Sequence, residues 1–204
     1  MVDRSWVRRV AAAVAAFLLA ASMSQVTALP ANAASGGVSL SVPLVHQTQN
    51  QWCWAASTQS VVKYLFGITY TQCQQANDRF NRSDCCQYPS SGNCNKPSAL
   101  ADVGNYLHAK KAIDSTHEWW SLSWSQTTGE IGTQRRPFLI RVGWSSGGGH
   151  IFVGRGYYWH DGGTDQFSVM DPWPNPATYV WYSWSYFKNN STFTWTNTLW
   201  KIHQ

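Results

Sequence analysis

The sequence predicts an α+β fold of two lobes, an N-terminal helical lobe packed against a C-terminal antiparallel β-sheet lobe. Three observations carry this prediction. Apolar residues recur at helical spacing through the front half, as in Val61, Val62, Leu65 and Phe66, or Leu100, Val103 and Leu107. Beyond Pro137 the period changes, and Val, Ile and aromatic residues crowd into short runs separated by glycine-rich turns. No repeat, low-complexity tract or linker divides residues 38–204, so the two halves form one domain. The cleft between such lobes is the expected place for a site.

Residues 1–33 read as a signal peptide. Arg4, Arg8 and Arg9 supply a basic start, and an apolar, alanine-rich run follows over 10–21. That run is too short to span a bilayer, which takes about 20 apolar residues. The small-residue pattern Ala31-Asn32-Ala33 then marks cleavage after Ala33. The expectation is export to the extracellular space, with no stable membrane association once the leader is removed. The stretch between Ala33 and the domain is too short for an inhibitory pro-region.

The elements follow in order. Asn50 can cap a helix over 51–66, which Gly67 closes. A short helix over 71–80 leads into the loop 81–96. Pro97 fits the first position of the next helix, which carries Leu100, Val103 and Leu107. Ser123 and Gln126 have the spacing of a capping box for one more helix before Pro137. Strands are then expected over 138–144, 150–159, 166–170 and 192–202, with turns at 145–149 and 161–164.

Composition narrows the function. Of 204 residues only 12% are charged while 15% are aromatic, which suits a rigid exported protein and excludes disorder. The formal net charge is +5, yet no Lys/Arg run is present and three of the basic residues lie in the leader, so nothing points to nucleic acid. A monomer acting on a protein or peptide is the expectation.

All five cysteines, Cys53, Cys73, Cys85, Cys86 and Cys94, lie beyond the leader. An odd count in an oxidising compartment leaves one thiol over. Four of them cluster over 73–94. Neighbours Cys85 and Cys86 pair with one another only under strain, so each is expected to take Cys73 or Cys94. Zinc is the rival reading of the cluster, but the C-x-x-C hook of zinc sites is missing. Cys53 remains as the free thiol, and no metal or cofactor is called for.

Cys53 sits near the start of the 51–66 helix, where unpaired N–H groups and the helix dipole favour a thiolate. Gln47 precedes it on the segment entering the helix, and its side-chain NH2 can stand beside the Cys53 N–H as a second oxyanion donor. Of six histidines, His150 opens a strand directly after three glycines, which leaves its ring free at a cleft edge. Asp171 ends the following strand, so a hairpin brings it near His150 to orient the imidazole. His46 lies too close to Cys53 in sequence to face it across a cleft. His108 and His117 belong to the helical half, and His160 and His203 to a turn and the terminus.

These residues carry a resemblance. Gln47, Cys53, Trp54 and Ala55 are similar to the nucleophile segment of papain-like cysteine peptidases, and the run from His150 to Gly156-Tyr157 resembles that family's histidine strand. Asp171-Pro172-Trp173 resembles its third catalytic segment, which has Asn in the plant members. Trp52-Cys53-Trp54-Ala55-Ala56, with the Cys85-Cys86 pair, is most similar to the secreted effector-type branch of plant-pathogenic bacteria. The resemblance runs from about residue 42 to the end. It implies a secreted cysteine endopeptidase with Cys53 as nucleophile, His150 as base, Asp171 as orienting acid and Gln47 in the oxyanion hole. The long 73–94 loop leaves the substrate pockets unmatched.

Two other readings compete. A cell-wall amidase of CHAP type uses a similar Cys-His pair but is not favoured by Gln47 or by Asp171-Pro172-Trp173. A non-catalytic wall-glycan-binding module would use the aromatic run 179–186 as a stacking face, although such runs more often serve as core.

Overall fold

The computed structural model describes residues 35–204. The expected signal peptide therefore lies outside the described residues. Helices gather in the front half, as helix α1 (Cys53–Phe66), helix α2 (Gln72–Phe80) and helix α3 (Leu100–Lys111), while most strands lie behind.

Helix α1 is closed by Gly67, whose φ of 70° is left-handed and whose N–H bonds the Lys63 carbonyl. Its start corrects the sequence reading. The N-cap is Trp52, without a side-chain cap, so the helix begins at Cys53 and not near residue 51. A tertiary anchor replaces the missing cap, because the buried Trp52 indole donates to the Cys94 carbonyl at 2.9 Å. Asn50 does not cap; its side chain accepts from Asn95 at 2.8 Å.

Helix α2 starts on a capping box between Thr71 and Gln74. The loop after it is fixed by two crossed disulfides, Cys73–Cys86 and Cys85–Cys94, and Cys53 is free. Pro97 does not open the next helix, which starts three residues later with Ala99 as N-cap. Leu100, Val103 and Leu107 form its buried stripe as the spacing required. Ser123 and Gln126 do form a capping box, on the short helix α4 (Trp124–Thr128), which runs into a π turn at Gly129–Thr133.

Among the described residues the sheet has seven strands: β1 (Gly36–Ser39), β2 (Asp114–Glu118), β3 (Phe138–Trp144), β4 (His150–Trp159), β5 (Gln166–Asp171), β6 (Thr178–Ser183) and β7 (Phe193–His203). The order is β2-β7-β3-β4-β5-β6, and β1 adds to the late half of β4. Every pairing is antiparallel. Strands β1 and β2 lie in the front half, outside the simple helix-then-strand order.

The aromatic run 179–186, which the rival glycan-binding reading would use as a stacking face, is divided in the structure. Tyr182 and Trp184 turn inward, onto Phe187 at 5.2 Å and Trp195 at 5.8 Å between ring centres. Tyr179, Trp181 and Tyr186 stay exposed, on β6 and on helix α5 (Trp184–Lys188). Helix α1 packs on β4, with the Ser57 hydroxyl donating to the Ile151 carbonyl at 3.0 Å. That contact brings the start of the helix to the start of the strand.

Candidate active site

Cys53 occupies the first helical position of α1, half-buried. Its backbone N–H is one of the orphan donors of a helix N-terminus and makes no hydrogen bond among the described residues. The helix is 14 residues long, so its dipole adds to the pull on negative charge at this point. Trp54 fixes the angle of the turn by donating its indole N–H to the Lys96 carbonyl at 3.0 Å.

His150 opens β4 and is 7% exposed. The turn before it contains Gly147 and Gly148 at φ of 95° and 80°, a conformation that favours glycine. The imidazole is walled by aromatic rings. Trp144 stacks at 6.2 Å, Phe152 meets it edge-on at 4.6 Å, and Trp173 stands perpendicular at 6.4 Å. His150 Nε2 donates to Asp171 Oδ1 at 2.8 Å, which leaves Nδ1 for Cys53, within hydrogen-bonding reach.

Burial is the largest single influence on His150, and it works against the imidazolium. The hydrogen bond to Asp171, the hydrogen bond to Cys53 and the charges of both outweigh it. The pKa is raised from 6.5 to about 9. The imidazolium is thus the form present below about pH 9. Protonated, the ring donates from both nitrogens, towards the carboxylate on one side and the sulfur on the other.

Asp171 ends β5 and is held in place by its own loop. Its Oδ1 also accepts the Trp173 N–H at 2.9 Å. The loop is clamped from the other lobe, since the Gln47 N–H donates to the Pro172 carbonyl at 3.0 Å and His46 Nδ1 reaches the Pro174 carbonyl at 2.9 Å. His46 is therefore a brace. Of the other histidines, His108 pairs with Asp114 on the surface, His117 packs on Trp119, and His160 and His203 are exposed.

Cys53, His150 and Asp171 line one cavity of about 750 Å³. Gln47 does not line it. Its side chain borders an adjoining depression that shares Asn50 and Trp173 with the cavity. Gln47 is buried; its Nε2 donates to the Gln49 carbonyl at 2.9 Å, and its Oε1 has no partner. One N–H of that amide remains uncommitted.

The cavity also holds residues that the sequence did not assign to the site. Arg141 on β3, Tyr182 on β6, Phe193 on β7 and Pro97 before α3 all reach its wall. Their sequence distance from Cys53 hid them; the signal that could have found Arg141 is its charge within the otherwise apolar run 138–144. One possible cation group, Asp84 with Cys85 and Cys94, is ruled out by its own chemistry. The two sulfurs are bonded to each other, and the Asp84 carboxylate pairs with Arg82.

Cys53 at a helix start thus faces the strand-borne His150 across a cleft between helices and an antiparallel sheet, in a papain-like α+β fold. The chain belongs to the Peptidase_C39 like family, whose model matches residues 39–199. The crystal structure of UfSP from C. elegans is similar over 80% of this chain and 34% of that one, at 14% identity and a TM-score of 0.49. This chain thus spans about a third of that protein's length. No curated protein matches the chain. No helix among the described residues is long and apolar enough to cross a membrane.

Proposed function

We propose that the protein is a secreted cysteine endopeptidase working through Cys53, His150 and Asp171. The observation that carries this reading is one chain of contacts, from the thiol at a helix N-terminus, through a buried imidazole, to a carboxylate. The Cys53 thiolate, paired with the His150 imidazolium, attacks a peptide carbonyl carbon. A C–S bond forms as the carbonyl π pair moves onto oxygen. Collapse of that intermediate breaks the C–N bond, and the imidazolium gives its proton to the leaving amine. Water, deprotonated by the now neutral His150, then attacks the thioester and releases the acid with the thiol.

The oxyanion would be met by the free Cys53 N–H and by the uncommitted N–H of Gln47. Each donor of this kind is worth roughly 3 kcal/mol in the transition state. Asp171 exchanges no proton; it fixes the ring and favours the imidazolium. Export after removal of residues 1–33 is supported by two disulfides, which persist in oxidising compartments. A kinship with the effector-type branch rests on the Trp52-to-Ala56 motif. Hydrolysis of a peptide library by the purified protein tests the reading, with Cys53→Ala and His150→Ala expected to be inactive. Undiminished hydrolysis by either variant would refute it.

A further inference from the structure

Arg141 stands in the same cavity as Cys53 and His150 and has no role in the chemistry above. On β3 it lies opposite Ile151, one residue past His150, and all three residues line the same cavity. Nη1 donates to Thr196 Oγ1 at 2.8 Å and Nη2 to the Gly148 carbonyl at 3.2 Å. Thr196 is itself held, donating back to the Arg141 carbonyl at 3.2 Å. The guanidinium is therefore fixed in position, by neutral acceptors only.

Three features leave it available. Arginine carries five N–H donors, and these two bonds occupy two of them. Among the described residues Arg141 forms no ion pair. The one acidic residue on the cavity wall, Asp171, is already bonded to His150. Gly149 also keeps the group uncovered, because a Cβ there would sit 3.1 Å from Nη2 and 2.4 Å from the Val142 carbonyl oxygen. The rest of the nearby wall is mostly apolar, with Trp54, Trp144, Phe152 and Phe193. A fixed cation without a counter-ion, in a cleft of low polarity, selects for an anion. The planar fork selects for a carboxylate.

We propose that Arg141 is a substrate-recognition residue that binds a carboxylate of the peptide, either an acidic side chain near the scissile bond or a C-terminal carboxylate. This inference rests on the peptidase reading for its substrate class. It names a preference that the 73–94 loop and the catalytic residues do not supply.

The test uses the mature protein and pairs of quenched fluorescent peptides. One set exchanges Glu for Gln at each position around the bond, and a second exchanges a free C-terminal carboxylate for a carboxamide. The wild type should prefer the acid by roughly tenfold or more in kcat/KM, as befits a hydrogen bond to a charged group. Preference in the first set identifies a side chain, and preference in the second set a chain end. Arg141→Met should bring the ratio to near one, and Arg141→Lys should leave it intermediate. The lysine variant also covers the case in which the methionine variant does not fold. The same pairs are titrated into Cys53→Ala by tryptophan fluorescence, with and without Arg141→Met. If the wild type cleaves nothing, the peptidase reading fails, yet carboxylate-dependent binding lost with Arg141→Met would still support the subsite. Equal handling of acid and neutral partners by the wild type, or a preference that survives Arg141→Met, would overturn the proposal.

Discussion

Replacing Asp171 should move the alkaline limit of activity. In the native protein the His150 pKa is raised from 6.5 to about 9, a gain of about 3 kcal/mol for the imidazolium. The Asp171 hydrogen bond leads the influences that favour the charged form, and its charge adds to it. A raised pKa means that the charged ring is present below about 9 and lost above. Without the carboxylate the imidazolium is less favoured, while the opposing burial remains. The alkaline limb of kcat/KM should then shift down by about one pH unit or more. Asp171→Asn and Asp171→Ala separate charge from orientation. The amide oxygen of Asn can still accept the Nε2 proton and the Trp173 N–H, whereas Ala loses both bonds. Asn should therefore keep the higher kcat, although both variants lose charge stabilisation. Peptide hydrolysis across pH 5–10, with NMR titration of the His150 ring, measures both effects. Unchanged midpoints in both variants, with native rates, would show that Asp171 does not govern His150.

Other changes probe the remaining parts. Gln47→Ala should lower kcat by about 10²–10³-fold while thiol alkylation changes little, as for loss of one oxyanion donor; steady-state kinetics check it. Gln49→Ala is the control, because Gln49 engages Gln47 through its backbone carbonyl alone. Replacing both Cys85 and Cys94 by Ser should cost about 2–3 kcal/mol from loop closure, given a sequence separation of 9, and more from burial of two hydroxyls. Urea denaturation reads the loss. Activity should fall with it, since the Trp52 anchor that sets the start of α1 ends on the Cys94 carbonyl.

The elements that the sequence announced are those with local chemistry. Gly67 ends α1 because its left-handed turn suits glycine, and Ser123 with Gln126 closes a local box. Strands β3 and β4 are bounded by Pro137 and the glycine turn, so their limits could be read directly. Strand β2 could not, because Asp-Ser-Thr-His-Glu has no apolar alternation and exists through its pairing with β7. The start of α1 was misread for a similar reason. A remote partner, the Cys94 carbonyl, holds Trp52 where local spacing favoured Asn50. Within the site, Cys53, His150 and Asp171 were legible because helix start, glycine turn and hairpin each fix one of them. Gln47 was placed beside Cys53 by spacing alone; what its sequence neighbours could not show is that its amide is buried and tied to the Gln49 carbonyl. Arg141 escaped because the cavity wall is assembled from strands remote in sequence.

The proposed hydrolysis turns on one step, activation of the Cys53 sulfur by His150. Labelling with an epoxide thiol probe at pH 6, followed by intact-mass and peptide mapping, tests it most directly. The account predicts a single adduct, on Cys53, formed much faster than on a free cysteine and slowed strongly in His150→Ala. A protein that stays unlabelled, or one that labels equally fast without His150, would contradict it.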